Sequence, residues 1–469
     1  MTELTAQPWF FCGIGGSGML PLALILKGAG ASVAGSDRSR DQGRTPEKFA
    51  WLESLGFQLF PQDGSGIISA DQVVVASAAV EDTVPEMVRA RELGCARLSR
   101  AELLARLFNA ASVSIAVGGT SGKSTVTGMI GWVLDALGRD PTIMNGAVMK
   151  NYATPDAPFA SARVGSGGLF VSEVDESDGS IALYRPKVAV LGNVTLDHKS
   201  LDELRDLFGD FVARADCAAI NLDDPEAAAL ATRAQRCVNF SLANPLSQIG
   251  VLEGSIAEGT TTLGATVIDR RDDTMHPIAL AVPGRHNLYN ALAAIAACNA
   301  VGVPVGDAVA ALAGYAGLSR RFEIIGTSPS NITVIDDFGH NPDKVAATLS
   351  TLKTHSGRVI ALFQPHGYGP LRQMGHELAE TFARLLGPDD LTILCDPVYF
   401  GGTVDRSEGS ERIVDLIRDA GGKAEYIPER DDCARRIVSL AQPDDRIVIM
   451  GARDDTLTNF ACGLLAALP

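Results

Sequence analysis

The sequence predicts a three-domain α/β protein, with a Rossmann-like N-terminal domain, a central P-loop ATPase-type sheet and a Rossmann-like C-terminal domain. Three observations predict it. An apolar strand near the N-terminus runs straight into a glycine turn, and a second glycine loop follows another apolar strand near residue 118. The last third then alternates apolar strands with helical stretches. At 469 residues the chain exceeds one hydrophobic core, and usual domain sizes suggest about two to four domains. The expected boundaries are 1–110, 111–317 and 318–469.

The first domain opens with the strand WFFCGI from Trp9, followed at once by Gly13, Gly15, Gly16 and Gly18. A helical pattern runs from Met19 to about Gly28, and a second strand, SVAGSD, ends at Asp37. Strand, glycine turn, helix, then strand with an acidic residue about 20 positions on is a Rossmann-type unit. Strands at Val73–Ser77 and Cys95–Leu98 continue it. In the centre, strands are expected at Gly168–Glu173, Val188–Asn193 and Cys217–Asn221, then short β segments between Gln248 and Pro283 and a buried helix from Asn287 to Val301. The glycine-bearing, basic stretch Gly317–Arg321 reads as a hinge. Beyond it, strands are expected at ITVIDDF, Val359–Phe363, Leu391–Cys395, Lys423–Ile427 and Arg446–Gly451.

Composition excludes several function classes. Hydrophobic residues make up 46% and charged residues 20%, which is a globular balance. Lys and Arg number 40 against 56 Asp and Glu, for a net charge of −16, so neither nucleic acid nor a membrane surface is an expected partner. A small anion can still be held by a few cations and backbone amides in one cleft. The eight cysteines (Cys12, Cys95, Cys217, Cys237, Cys298, Cys395, Cys433, Cys462) form no CxxC pair, and read as buried thiols of a reducing compartment. The first residues lack a basic stretch followed by an apolar one, and no apolar run approaches the roughly 20 residues that cross a bilayer. A cytoplasmic protein is expected.

Three motifs carry chemistry. Gly118-Gly119-Thr120-Ser121-Gly122-Lys123-Ser124-Thr125 stands between a β-rich run and the helix VTGMIGWVLDAL. A phosphate loop needs glycines so that successive N–H groups can turn toward one anion, a Lys for the outer phosphates and a hydroxyl for Mg²⁺. Lys123 and Ser124 supply the last two. The run Val171-Ser172-Glu173-Val174-Asp175-Glu176-Ser177-Asp178 closes an apolar strand, where carboxylates would meet a hard cation, and Glu173 is the expected metal ligand. Gly192-Asn193-Val194-Thr195-Leu196-Asp197-His198-Lys199 closes another strand and offers His198 as a metal or phosphate contact.

These three motifs, in this order and separation, resemble the Mur ligase family. Pro283-Gly284-Arg285-His286-Asn287 with Asn290 is similar to that family's adenine and ribose segment. Leu318-Ser319-Arg320-Arg321-Phe322-Glu323 resembles its basic lead into the C-terminal domain, and Asp336-Asp337-Phe338-Gly339-His340-Asn341-Pro342 resembles a segment whose Asp and His face the ATP phosphates. The resemblance implies ATP and Mg²⁺ as cofactors. It implies nucleotide binding by Gly119, Thr120, Ser121, Gly122, Lys123, Ser124, Thr125, His286, Asn287, Asn290, Arg321 and Asp337. Catalytic roles fall to Lys123, Glu173, His198, Asp337 and His340, and metal ligation to Ser124, Glu173 and His198. The turn Gly15-Gly16-Ser17-Gly18-Met19 with Asp37 would bind a nucleotide sugar, with His366 and Arg372 as further substrate contacts.

The implied reaction joins a UDP-sugar carboxylate, that of UDP-N-acetylmuramate, to an amino acid, L-alanine, through an acyl phosphate. The Gly317–Arg321 hinge would close the third domain over the reactants. The partners are then small molecules, and the protein is expected to be a monomer or homodimer. The departures lie where the substrates bind. After Gln364-Pro365-His366 the amino-acid-adding branch carries an RYxRxR stretch, which here reads Gly367-Tyr368-Gly369-Pro370-Leu371-Arg372 and keeps one Arg of three. Lys199 and Ser200 replace Met-Asp after His198, and Arg453 is an added cation. The alternatives are the same chemistry on another amino acid, peptide or carboxylate, and a catalytically silent nucleotide-binding regulator.

Overall fold

The computed structural model describes residues 5–78, 80–195, 200–398, 406, 408–452, 454 and 456–469. The N-terminal segment supplies the strands of a parallel sheet. In the first sheet these are Trp9–Cys12 (β1), Val33–Ser36 (β2), Gln58–Phe60 (β3), Val73–Ala76 (β4) and Ala96–Ser99 (β5), ordered β3-β2-β1-β4-β5. β1 pairs in parallel with both β2 and β4, with Phe10 opposite Ala34 and Val74. All four β1 residues are buried, as expected of a strand covered on both faces. Strand order reverses beside β1, which puts the glycine turn at the crevice where such sheets take ligands.

The central strands are Val113–Gly118 (β6), Thr142–Met144 (β7), Ala162–Arg163 (β8), Leu169–Glu173 (β9), Val188–Leu191 (β10), Cys217–Asn221 (β11), Cys237–Phe240 (β12), Ile249–Val251 (β13), Ala257–Glu258 (β14), Leu263–Asp269 (β15) and Thr274–Leu280 (β16). From β15 the sheet runs β13-β12-β11-β10-β6-β9-β7-β8, with β16 hairpinned onto β15. β6 lies between β10 and β9, so the loop after it opens beside the ends of both strands, that of β9 bearing Glu173. Helix Arg100–Asn109 ties the first sheet to this one through Phe108, whose ring meets Phe170 at 5.7 Å and Tyr184 at 5.3 Å, both edge-on.

The last sheet comprises Glu323–Thr327 (β17), Thr333–Asp337 (β18), Val359–Gln364 (β19), Leu391–Leu394 (β20), Ala424–Tyr426 (β21) and Arg446–Gly451 (β22), ordered β17-β18-β22-β19-β20-β21. Only β17 is antiparallel. The chain divides into two compact units: residues 1–257, 263–281 and 286–318, and residues 258–262, 282–285 and 319–469. The division at 318/319 falls inside the stretch read as a hinge, where Gly317 and Arg320 both have positive φ.

The strands missed in the sequence, β3, β7, β8, β12 and β17, are short or half-buried, so they carry little apolar signal. The reading of all cysteines as buried needs correction, since Cys462 is exposed and Cys237 half-buried; both lie on elements with one face turned from the core. No described helix is long and apolar enough to cross a membrane.

Arg320 anchors the second unit. It is 7% exposed, and its Nε lies 3.3 Å from the fully buried Asp336, while the other guanidinium nitrogens donate to Gly451 O at 2.6 Å and Asp454 O at 2.9 Å. Burial raises the Asp336 pKa, and Arg320 draws it back. Arg320→Ala should therefore cost the C-terminal unit about 3–5 kcal/mol, read as a lower urea midpoint. An unchanged midpoint would show that the pair does not hold the fold.

Candidate active site

The loop after β6 is shaped from below by one side chain. Asn193 Oδ1 accepts from Ser121 N at 2.8 Å, its Nδ2 donates to Ser121 O at 3.1 Å, and its own carbonyl accepts from Thr120 N at 3.2 Å. Thr120 Oγ1 donates to Thr195 O and accepts from Thr195 N, at 3.2 and 3.0 Å. From β11, Asn221 Nδ2 holds Gly192 O at 2.9 Å. Gly122 turns the loop into the helix with φ +84, and a Cβ there would lie 2.6 Å from Asn290 Oδ1. Asn290 in turn donates to Asn287 Oδ1 at 3.1 Å, so this part of helix Arg285–Ala300 abuts the loop.

Lys123, Ser124 and Thr125 form the first turn of helix Lys123–Ala136, all half-buried. Ser124 Oγ donates to Glu173 Oε2 at 2.8 Å, and Asn145 Nδ2 donates to Ser124 O at 2.8 Å. A Cβ on Gly146 would sit 2.3 Å from Glu173 Oε1, so only glycine lets the chain pass this carboxylate. Lys123 Nζ is 2.7 Å from Glu176 Oε2, with side chains 19% and 6% exposed. Ser177 donates to Asp175 Oδ1 from both its amide and hydroxyl; although burial opposes ionisation, these bonds hold Asp175 below the usual carboxylate range. His198 lies outside the described residues.

At the N-terminal turn, Asp37 Oδ2 accepts from Gly15 N and Oδ1 from Ser39 N, each at 2.8 Å. Gly13 and Ile14 donate to Ser36 O, and Gly16 to Gly13 O. Ser17 and Gly18 immediately precede helix Met19–Gly28, whose N-terminus favours an anion. Asp37 shapes the turn with both carboxylate oxygens.

In the second unit, Asp337 is buried, with Oδ2 accepting from Phe322 N at 2.8 Å and Oδ1 from Gly339 N at 2.8 Å and Thr348 Oγ1 at 3.0 Å. It thereby folds the loop that carries His340. His340 Nδ1 donates to Phe338 O at 2.9 Å, the tautomer a carbonyl partner requires, leaving a lone pair on Nε2. The His366 ring meets His340 edge-on at 5.0 Å, and both line a small cleft with Phe363, Pro370, Leu371 and Met374. Arg321 stacks on Phe338 at 4.3 Å. Arg372 is exposed on helix Tyr368–Leu385.

The structure thus brings Gly119–Thr125, Glu173 and Asn290 together in the first unit, and Arg321, Asp337, His340 and His366 in the second. His286 is half-buried at the start of its helix. Sequence reasoning quoted Asn193 and Glu176 within motifs but gave them no role; Asn145 had no signal, because the strand it follows is three residues long.

Three family models match this chain: "Mur ligase family, catalytic domain" at residues 10–112, "Mur ligase middle domain" at 117–298 and "Mur ligase, glutamate ligase domain" at 320–453. A UDP-N-acetylmuramate–L-alanine ligase of Agrobacterium fabrum is 35% identical over 98% of this chain and 96% of its own. The chain belongs to the Mur ligase family. A second ligase with that name, from Clavibacter michiganensis, is 36% identical over 95% of this chain and 90% of its own. Among solved structures, UDP-N-acetylmuramate–alanine ligase from Thermotoga maritima matches with TM-score 0.80 at 25% identity, and a murein peptide ligase from Psychrobacter arcticus with 0.74 at 26%, each over 98% of both chains. This Mur ligase is an ATP-dependent enzyme that forms an amide bond.

Burial, with Lys344 next, lowers the His340 pKa from 6.5 to about 3, so the ring of this Mur ligase is neutral through the working range. The folded pKa is the depressed one. The stability this adds is complete above about pH 6.5 and is lost as the pH falls toward 3. His340→Gln should lose less thermal stability than the parent between about pH 7 and pH 4. Equal losses would refute the burial argument.

Proposed function

We propose that this Mur ligase joins the carboxylate of UDP-N-acetylmuramate to the amine of L-alanine, as the curated relatives' names describe for those proteins. The observation that carries the reading is the phosphate loop, with Lys123 and Ser124 on one helical turn and acid partners at 2.7 and 2.8 Å. In this reading the boundaries lie at residues 110 and 317, the N-terminal turn takes the nucleotide sugar, and the protein works in the cytoplasm.

A carboxylate and an amine do not condense in water, so the acid first gains a leaving group. A carboxylate oxygen attacks the γ-phosphorus of ATP, the bond to the ADP oxygen breaks, and an acyl phosphate forms. The amine nitrogen then attacks the acyl carbon, phosphate leaves, and the nitrogen loses a proton. The oxygen donors Ser124 Oγ and Glu173 Oε2, beside a passage only glycine can fill, suit a hard divalent cation. Mg²⁺ held there, with His198 as a further ligand, would neutralise charge on the outer phosphates. Lys123 exchanges Glu176 for the γ-phosphate as charge develops. Asn193 braces the loop by taking up the Thr120 and Ser121 amides, and Asn287, Asn290 and His286 meet the nucleoside. Asp337 holds the loop presenting His340, whose neutral Nε2 is available to take the amine's proton, with Arg321 alongside. Domain closure at Gly317–Arg321 would exclude water.

A second acceptor reading has one specific support. Gly367-Tyr368-Gly369-Pro370-Leu371 offers no guanidinium where the branch has two, and Arg372 is exposed, so the group that holds the amino acid's carboxylate differs. Phosphate release from ATP with UDP-N-acetylmuramate against all twenty amino acids, followed by product mass, decides. Release with L-alanine supports the first reading, and release only with another amine supports the second. Silence with every acceptor despite ATP binding would sink the ligase proposal. Lys123→Ala should lower turnover by about a hundredfold or more with an unchanged circular dichroism spectrum; near-normal turnover would remove Lys123 from the reaction.

A further inference from the structure

Two of the buried cysteines take no part in the chemistry above, and the fold sets them against each other. β20 and β21 run in parallel with Leu394 opposite Tyr426, and their pairing continues past both strand ends. Ile427 N donates to Leu394 O and Asp396 N to Pro428 O, each at 3.0 Å, so Cys395 lies alongside Ile427. Cys433, at the end of the first turn of helix Arg430–Leu440, donates from Sγ to Ile427 O at 3.4 Å. Cys395 and Cys433 are 2% and 0% exposed, belong to one apolar cluster, and are hydrogen-bonded to each other.

Thiols sealed in apolar surroundings are ordinarily inert, but this pair is not symmetric. Cys395 donates to Cys433, which holds the Cys433 thiol below its usual range; the same bond, with burial, pushes Cys395 well above. Cys433 is thus the sulfur that loses its proton first. It also sits under a weakly held part of its helix, because Glu429 caps the N-terminus without a side-chain hydrogen bond. Opening of that single turn exposes Cys433 to a small neutral oxidant.

Cys395 is the sulfur with structural consequences. Its Sγ lies 3.9 Å from Gln364 Oε1, and Gln364 Nε2 donates to Asp454 Oδ2 at 2.8 Å. Arg430 Nη1 donates to the same carboxylate oxygen at 2.9 Å. Gln364 is the last residue of β19, two before His366.

We propose that Cys395 and Cys433 form a reversible oxidation site for hydrogen peroxide, whose disulfide loosens the Gln364–Asp454 clamp beside His366. The Cys433 thiolate attacks one peroxide oxygen, the O–O bond breaks, and the departing hydroxide takes a proton to give water, leaving a sulfenic acid. The Cys395 sulfur then attacks the Cys433 sulfur, the S–O bond breaks, and the hydroxide leaves with the Cys395 proton as a second water. Bonded to Cys433, the Cys395 sulfur is drawn away from Gln364. A dithiol reductant restores both thiols by exchange.

The test treats the full chain with hydrogen peroxide, blocks the remaining thiols with iodoacetamide, and maps peptides by mass with and without dithiothreitol. A crosslink between Cys395 and Cys433 is expected, two hydrogens lighter than the paired thiols and absent after reduction. Cys395→Ser should instead carry a sulfenic acid at Cys433 that dimedone traps, and Cys433→Ser should carry none at Cys395. Amide hydrogen exchange over residues 363–368 should quicken several-fold in the oxidised parent but not in peroxide-treated Cys433→Ser. Peroxide that modifies the exposed Cys462 while Cys395 and Cys433 stay free thiols overturns the site. A crosslink with unchanged exchange over residues 363–368 overturns its effect on the clamp.

Discussion

A glycine-rich loop has few side chains with which to fix its own shape, and the first unit is organised around that constraint. Ordering a residue's backbone costs about 1–2 kcal/mol, so residues 119–122 need outside support to stay in one shape. Asn193 supplies it, with a side-chain amide that both donates to and accepts from Ser121 and a carbonyl that accepts from Thr120 N. Asn221 fixes the carbonyl of Gly192, immediately before Asn193, and Thr120 locks onto Thr195. Parallel pairing of β6 with β10 and β9 puts these supports in reach, since neighbouring parallel strands end on the same side.

Charge acts locally here. A chain of net charge −16 reads as a poor host for polyanions, yet its cations are stationed where anions would arrive. Lys123 and Arg100 each face the acidic turn, which keeps them positioned without a ligand. In the second unit the buried acids do a different job. Asp336 and Asp337 spend their oxygens on Arg320, Thr458, Phe322, Gly339 and Thr348, and so fold the segment from which His340 projects.

Much of the architecture is legible from residue order. Long buried strands such as β6, β18 and β22 declare themselves as apolar runs, and glycines mark the turns beyond them. Strands with one wet face, such as β12, or of two or three residues, such as β7 and β8, have too few apolar positions to register. Lys123 and Ser124 stood out as candidates because the phosphate-loop pattern constrains residue type at fixed spacing, and Glu173 because it closes an apolar strand. Asn193 was visible within its motif, but nothing local separates an asparagine that braces a loop from one that merely ends a strand.

The amino-acid order by itself determined the three-domain α/β plan, the glycine loop, the acidic strand end and the family, because each is carried by local runs of residue types in a fixed order. Only the tertiary structure decided that Glu176 rather than Glu173 takes Lys123, that Glu173 takes Ser124, and that Asp37 and Asp337 turn inward. Those choices depend on which strand ends lie side by side and on the direction each side chain can take once packed, and a linear spacing holds neither.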